Sequence, residues 1–110
     1  MIVAWLMLVG AGLLEVVWAI ALKKSGGLSL TSPATAVFLV AATASFILLA
    51  QALRTLPVGT GYAVWTGIGA VGAALVGILW LGEAHNPARL GALLTIAVGI
   101  TWLAAVTPAD

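Results

Sequence analysis

Glu15 is the residue of this chain best placed to do chemistry, because it is the one ionisable carboxylate within four long apolar segments. A charge near the middle of a bilayer costs at least about 2.5–3.5 kcal/mol, so such residues usually face a helix-bundle interior and mark ion or proton paths. One carboxylate cannot easily hold a proton and a cation at once. The pattern therefore predicts proton/cation exchange at Glu15, with a protonated, merely structural hydrogen-bonding group as the alternative.

Aromatic and hydroxyl side chains occur where they could line a site around Glu15. Trp18 follows Glu15 by three positions, so both lie on one face of a helix. Tyr62 and Trp65 share a face of the third apolar segment, and Ser45 is near the middle of the second. An indole face attracts cations, and hydroxyl groups can orient a carboxylate. These four residues are therefore predicted to line the site and support Glu15.

Other kinds of chemistry lack the residues that they need. The chain has no cysteine, and its single histidine, His85, lies in a short loop where a solvated role is expected. No cluster of His, Asp or Glu has the spacing of a metal site. No nucleophile–base pair can be assembled inside the apolar segments. Four basic residues provide no clustered basic face, so we expect no enzyme, metal, cofactor or nucleic-acid partner.

The composition indicates which elements position Glu15. Of 110 residues, 64% are hydrophobic and 6% are charged, whereas soluble domains have about 45–50% and about 25%. Four segments are long and apolar enough to cross a lipid bilayer, at about 2–22, 33–53, 58–81 and 88–106. They use most of the chain. The sequence therefore predicts one all-α integral membrane domain, 1–110, with four transmembrane helices.

Proline and glycine mark the predicted helix ends. Ser32 and Asn86 each precede a proline, which is the pattern of an N-cap followed by proline in the first helical turn. Pro57 lies just before the third segment. The pair Gly26-Gly27 is a turn signal in the first connection. The connections are therefore predicted to be short turns.

Three glycines crowd the middle of the third segment, at Gly67, Gly69 and Gly72. They would permit either a kink or simply close helix packing. We expect a hinge, because flexing at this point would let a central site face either side of the membrane. Close packing is the alternative.

Small residues recur every four positions in the fourth segment, at Gly91, Thr95 and Gly99. They form a stripe on one face of the helix, and such stripes let helices approach closely in lipid. We expect this stripe to contact a second copy of the chain. Packing within the chain is the alternative.

Charged residues near the segment ends give only a weak orientation signal. Lys23, Lys24 and Arg89 lie on one side, and Arg54 and the N-terminus lie on the other. Basic residues prefer the cytoplasmic side, but so small a bias predicts that some chains insert one way and some the other. Whether Glu83 or Arg89 closes an ion pair at the membrane surface is left open.

With these features, the chain resembles the small multidrug resistance family of four-helix transporters over essentially its whole length. The resemblance rests on Glu15, on residues 44–46 and 49–51 of the second segment, and on the long run 56–69 through the third. It implies an antiparallel, dual-topology homodimer in the bacterial inner membrane. Two copies of Glu15 would then form one shared site that exports a cation and imports protons.

Within that family, residues 15–19 are most similar to the guanidinium exporter subtype, because the drug-exporting subtype typically has a small residue in place of Trp18. The resemblance implies binding roles for Glu15, Trp18, Ser45, Tyr62 and Trp65. Guanidinium and small substituted guanidinium cations are the implied substrates, since their paired N–H groups match carboxylate oxygens. Ser45, Trp18 and Tyr62 would hold the glutamates by hydrogen bonds, and Trp65 would offer a stacking surface.

Two other functions stay open at this point. The first is a broad-specificity exporter of hydrophobic or quaternary ammonium drugs. A quaternary ammonium ion has no N–H to donate, so hydrogen-bond acceptors around it would go unused. The second is a non-transporting membrane component, such as a pore-forming peptide or an assembly subunit, for which Glu15 would be dispensable.

Overall fold

A computed structural model describes residues 1–108, which form four helices and no strand. The helices are α1 (Ile2–Lys24), α2 (Pro33–Ala52), α3 (Val58–Trp80) and α4 (Pro87–Val106). All four are long and apolar enough to cross a membrane. The prediction of an all-α membrane protein with four transmembrane helices is therefore confirmed.

The helix-capping residues predicted from the sequence are confirmed. The Ser32 side chain accepts a hydrogen bond of 3.3 Å from the backbone N–H two residues on. The Asn86 side chain accepts one of 2.9 Å from the N–H three residues on. Gly26 and Gly27 have φ angles of 66° and 77°, which glycine adopts at little steric cost. These caps and turns fix where α2 and α4 begin.

Helix α1 lies between α2 and α3 and makes most of the contacts that hold the three together. Helices α2 and α3 contact each other only briefly. The buried hydrophobic core includes Ala4, Leu8 and Ala11 of α1, with Val64 and Trp65 of α3. Since a helical turn is 3.6 residues, the next residue of α1 on this face is Glu15, the centre of the predicted site.

Helix α4 is attached to the outside of this arrangement. It packs against α3 alone, and none of its residues is buried in the part of the chain that is described. Ile100 lies against Gly67 of α3, where its Cγ2 atom would be 2.6 Å from an added Cβ. The remaining face of α4 points away from the other helices.

Candidate functional site

Glu15 lies at the contact between α1 and α3, with its carboxyl group resting on Gly69. A Cβ atom built at Gly69 would overlap this carboxyl group, so only glycine permits the approach. The Glu15 Oε1 atom is buried and has no hydrogen-bond partner among the described residues. A buried polar atom without a partner costs about 1–3 kcal/mol. This oxygen is therefore stabilised by any ligand that brings it a proton or an N–H donor.

Ser45 of α2 joins three helices, and it contacts α1 at Ala11, one turn before Glu15. Its hydroxyl group is fully buried, donates to the Ala11 carbonyl at 2.7 Å and accepts from Trp65 Nε1–H at 3.0 Å. In an α-helix, the Ala11 carbonyl is also the acceptor for the backbone N–H of Glu15. The two hydrogen bonds therefore fix the segment of α1 that carries Glu15 relative to α2 and α3.

Five aromatic rings form a continuous cluster next to Ser45. Trp18 stacks on Phe46 with ring centroids 6.5 Å apart and contacts the edge of Phe38 at 5.8 Å. Phe46 packs against Trp65 at 5.2 Å, and Trp65 packs against Tyr62 at 5.5 Å. Such geometries are favourable for aromatic pairs. Phe46 and Tyr62 are 53% and 58% exposed, so the cluster presents an open aromatic surface.

The hydrogen bonds expected to hold Glu15 differ from those in the structure. Ser45 bonds to Ala11 and Trp65, and the Glu15 carboxyl group rests on Gly69 of α3. Trp18 Nε1 is buried and has no partner within residues 1–108.

The indole of Trp65 is also less available than expected. Trp65 is only 4% exposed and its N–H is already bonded to Ser45. A stacking surface at Trp65 is therefore covered within a single copy of the chain. Tyr62 is the open ring next to it.

The three α3 glycines make close helix contacts. Gly72 accommodates Val16 of α1 just as Gly69 accommodates Glu15, and Gly67 accommodates a side chain of α4. Helix α3 runs without interruption through all three positions. Close helix packing, which was the alternative to a hinge, therefore accounts for glycine at these three positions. A hinge at these positions stays a prediction.

The small-residue stripe of α4 points outward. Gly91, Thr95 and Gly99 are all exposed, and nothing lies within 4 Å of a Cβ atom built at Gly91 or Gly99. Packing of these glycines within the chain, the alternative considered above, is therefore wrong for the described residues. Contact with a second copy stays a prediction.

Sequence reasoning gave no role to Phe38 or Phe46, which contact the Trp18 ring on two sides. A usable signal was present for Phe38, because it precedes Ser45 by seven residues and so shares its helix face. Phe46 follows Ser45 directly, and periodicity alone gave no reason to include it. Both rings limit the orientations open to Trp18.

Four long apolar helices, with a buried carboxyl oxygen that has no hydrogen-bond partner in the described part of the chain, define a multi-pass membrane protein with a candidate ion-binding site. The model of one family, described as Small Multidrug Resistance protein, matches residues 3–96. The chain belongs to the small multidrug resistance family, as its sequence predicted, and is a multi-pass protein of the inner membrane.

Several curated relatives carry the name guanidinium exporter. Those of Escherichia coli (strain K12), Citrobacter freundii and Salmonella typhimurium are each 55% identical to this chain over 100 residues. The matched region covers 91% of this chain and 94% of each relative. The similarity therefore extends across all four helices rather than over a single motif.

Proposed function

We propose that this protein exports guanidinium across the inner membrane in exchange for protons. One observation carries the proposal. A chain that is 55% identical to proteins named guanidinium exporter buries a carboxyl oxygen, Glu15 Oε1, which has no hydrogen-bond partner within residues 1–108. That oxygen suits a ligand that is either a proton or a cation with N–H donors.

The chemistry of guanidinium matches this site. It is a planar cation whose parallel N–H groups pair with the two oxygens of a carboxylate. A second copy of the chain would supply a second Glu15, so that two carboxylates flank the cation from opposite edges. The outward-facing α4 stripe supports such pairing. The open rings of Phe46 and Tyr62 would contact the cation faces.

Exchange then follows from competition at Glu15. On the inner side, the carboxyl groups release their protons and bind guanidinium. The helices rearrange, and on the outer side protons displace the cation. The protonated dimer returns, so that each export step is coupled to proton entry.

The test is uptake of labelled guanidinium into liposomes that contain purified protein and a pH gradient. Glu15→Gln keeps the size of the side chain but cannot ionise, so uptake should fall to the level of protein-free liposomes. The same liposomes without a pH gradient serve as the second control. Uptake that is unchanged in Glu15→Gln would contradict the proposal and favour a non-transporting or pore-forming protein.

The pH dependence has a defined sign. Guanidinium requires ionised Glu15, and protons bind to the same group. The apparent Kd for guanidinium should therefore rise as pH falls, approaching about tenfold per pH unit for each proton released on binding. Equilibrium binding to purified protein over a range of pH measures this slope. A Kd that does not change with pH would rule out competition at a shared carboxylate.

A broad-specificity drug exporter is the second candidate, and the exposed aromatic rings of Phe46 and Tyr62 favour it. Hydrophobic quaternary ammonium ions would gain charge and aromatic contact there. The liposome assay with tetraethylammonium in place of guanidinium separates the two functions. Transport of guanidinium alone supports the first candidate, and transport of both cations supports the second.

A further inference from the structure

Glu83 connects three parts of the chain at one membrane surface. Its Oε1 atom accepts a hydrogen bond of 3.2 Å from Arg89 Nη2 in the first turn of α4. Its Oε2 atom lies 3.9 Å from Nζ of Lys23 near the end of α1. The Arg89 side chain also donates to the Ala84 carbonyl at 2.6 Å. The question left open by the sequence is thus answered, because Glu83 and Arg89 form an ion pair.

Gly77 allows the Glu83 carboxylate to fold back over the last turn of α3. The Glu83 backbone N–H donates to the Gly77 carbonyl at 3.0 Å. A Cβ atom built at Gly77 would overlap the Glu83 carboxyl group. The side chain is consequently only 32% exposed. Its direction is therefore set by contact with α3 as well as by the two cations.

The interface between α1 and α3 runs from Glu15 to this surface. Glu15 lies on Gly69, Val16 lies on Gly72, and Lys23 meets the carboxylate that rests on α3. Lys23 lies eight positions after Glu15, which is about 12 Å along a helix. Glu15 and Val16 are both partly exposed, and Val16 lines a cavity of about 430 Å³ together with Lys24 of α1 and Val76 of α3. Separation of α1 and α3 along this stretch would widen that cavity toward Glu15.

We propose that Lys23, Glu83 and Arg89 form an ion-pair latch, which keeps the α1–α3 interface closed at this surface and restricts access to Glu15. Partly exposed ion pairs contribute little free energy and exchange readily with water. The latch is therefore weak enough to open during a transport cycle. The latch rests on the proposed function in one respect, since guanidinium and protons are the ligands that the opened interface would admit.

Cysteine labelling tests the latch without using any substrate. The chain has no cysteine, so Val16→Cys places a single reporter thiol in the interface. The protein is reconstituted in lipid nanodiscs and treated with a polar maleimide. Glu83→Gln should raise the labelling rate about two- to fivefold, the range expected for loss of a partly exposed ion pair. Lys23→Gln should raise the labelling rate by a similar factor. The double variant should label at about the rate of either single variant, because both substitutions remove the same Lys23–Glu83 ion pair.

The control is Arg54→Gln. Arg54 is also an exposed cation, lies far from the Val16 cavity and forms no ion pair among the described residues. Its substitution should leave the labelling rate unchanged. An unchanged rate in both Glu83→Gln and Lys23→Gln would overturn the latch. An equal increase in Arg54→Gln would also overturn it, because loss of any positive charge would then suffice.

Guanidinium uptake by the Val16→Cys parent separates this inference from the proposed function. If guanidinium is taken up but the labelling rate is unchanged in Glu83→Gln, the latch is overturned and guanidinium export stands. Faster labelling in Glu83→Gln without uptake by the parent or wild type would support the latch and contradict guanidinium export. The two proposals can therefore fail independently.

Discussion

Helices α3 and α4 both carry small residues at regular positions, but the two helices use them in opposite ways. Each of Gly67, Gly69 and Gly72 in α3 gives room to a side chain of a neighbouring helix. In α4, Gly91 and Gly99 have open space where a side chain would be. Small residues permit close approach in lipid, but only the packing of the other helices decides whether the neighbour lies within the chain.

Because of this difference, the site is formed by helices other than the one that is open to a second copy of the chain. Helices α1, α2 and α3 bury their contact residues and hold Glu15 in place, whereas α4 buries none in the described chain. A helix without buried residues contributes little to the core of a single copy. Its small-residue face is therefore available for a second copy, which the proposed two-glutamate site requires.

Among the variants that test this difference between α3 and α4, substitution at Gly69 should have the largest effect. In Gly69→Ala, the added methyl group would occupy the position of the Glu15 carboxyl group. The flexible end of Glu15 can move aside, so the helices should still pack while the carboxylate is displaced. Inserting a methyl group into close packing costs about 1–3 kcal/mol. We expect guanidinium affinity to fall about tenfold or more, as measured by equilibrium binding.

Gly59→Ala is the matched control for this experiment. Gly59 also belongs to α3, and nothing lies within 4 Å of a Cβ atom built there. Its affinity for guanidinium should match that of wild type. A wild-type affinity in Gly69→Ala would show that the contact with Glu15 does not determine binding.

Ser45→Ala should have the next largest effect, on stability. It removes both hydrogen bonds of Ser45 and leaves Trp65 Nε1–H buried without a partner. Such a loss costs about 1–3 kcal/mol, so the midpoint of thermal unfolding in detergent should fall clearly. Thr43→Ala is the control, because the exposed Thr43 hydroxyl bonds only to Leu39 of its own helix. Equal midpoints for both variants would contradict a connecting role for Ser45.

The membrane helices could be predicted from the sequence because composition and capping act locally. Four apolar stretches, with Ser32 and Asn86 ahead of prolines, are enough to predict four helices and two of their starts. The region of the candidate site was also predictable, since a carboxyl group in such a stretch needs a special environment. Neither inference depends on how the helices pack.

The contacts within the site could not be predicted in the same way. The bond from Ser45 of α2 to the Ala11 carbonyl of α1 and the contact of Glu15 with Gly69 of α3 both join different helices. These are relations between helices, and the 3.6-residue period fixes only faces of one helix. The Lys23–Glu83 contact, between residues 60 positions apart, is likewise invisible to spacing.

The smallest expected effect is at the stripe of α4, where two threonines allow a matched pair of substitutions. Thr95 and Thr101 are both exposed, and each donates to the carbonyl four residues earlier in α4. They point about 120° apart around the helix at about 100° per residue. If the stripe contacts a second copy, Thr95→Leu should weaken dimerisation about threefold, the size typical of single contacts between membrane helices. Thr101→Leu should not, because it lies off the stripe. Energy transfer between labelled chains diluted in vesicles measures both. Equal dimerisation of the two variants would mean that α4 is left facing lipid, and that the second Glu15 must be brought in by another surface.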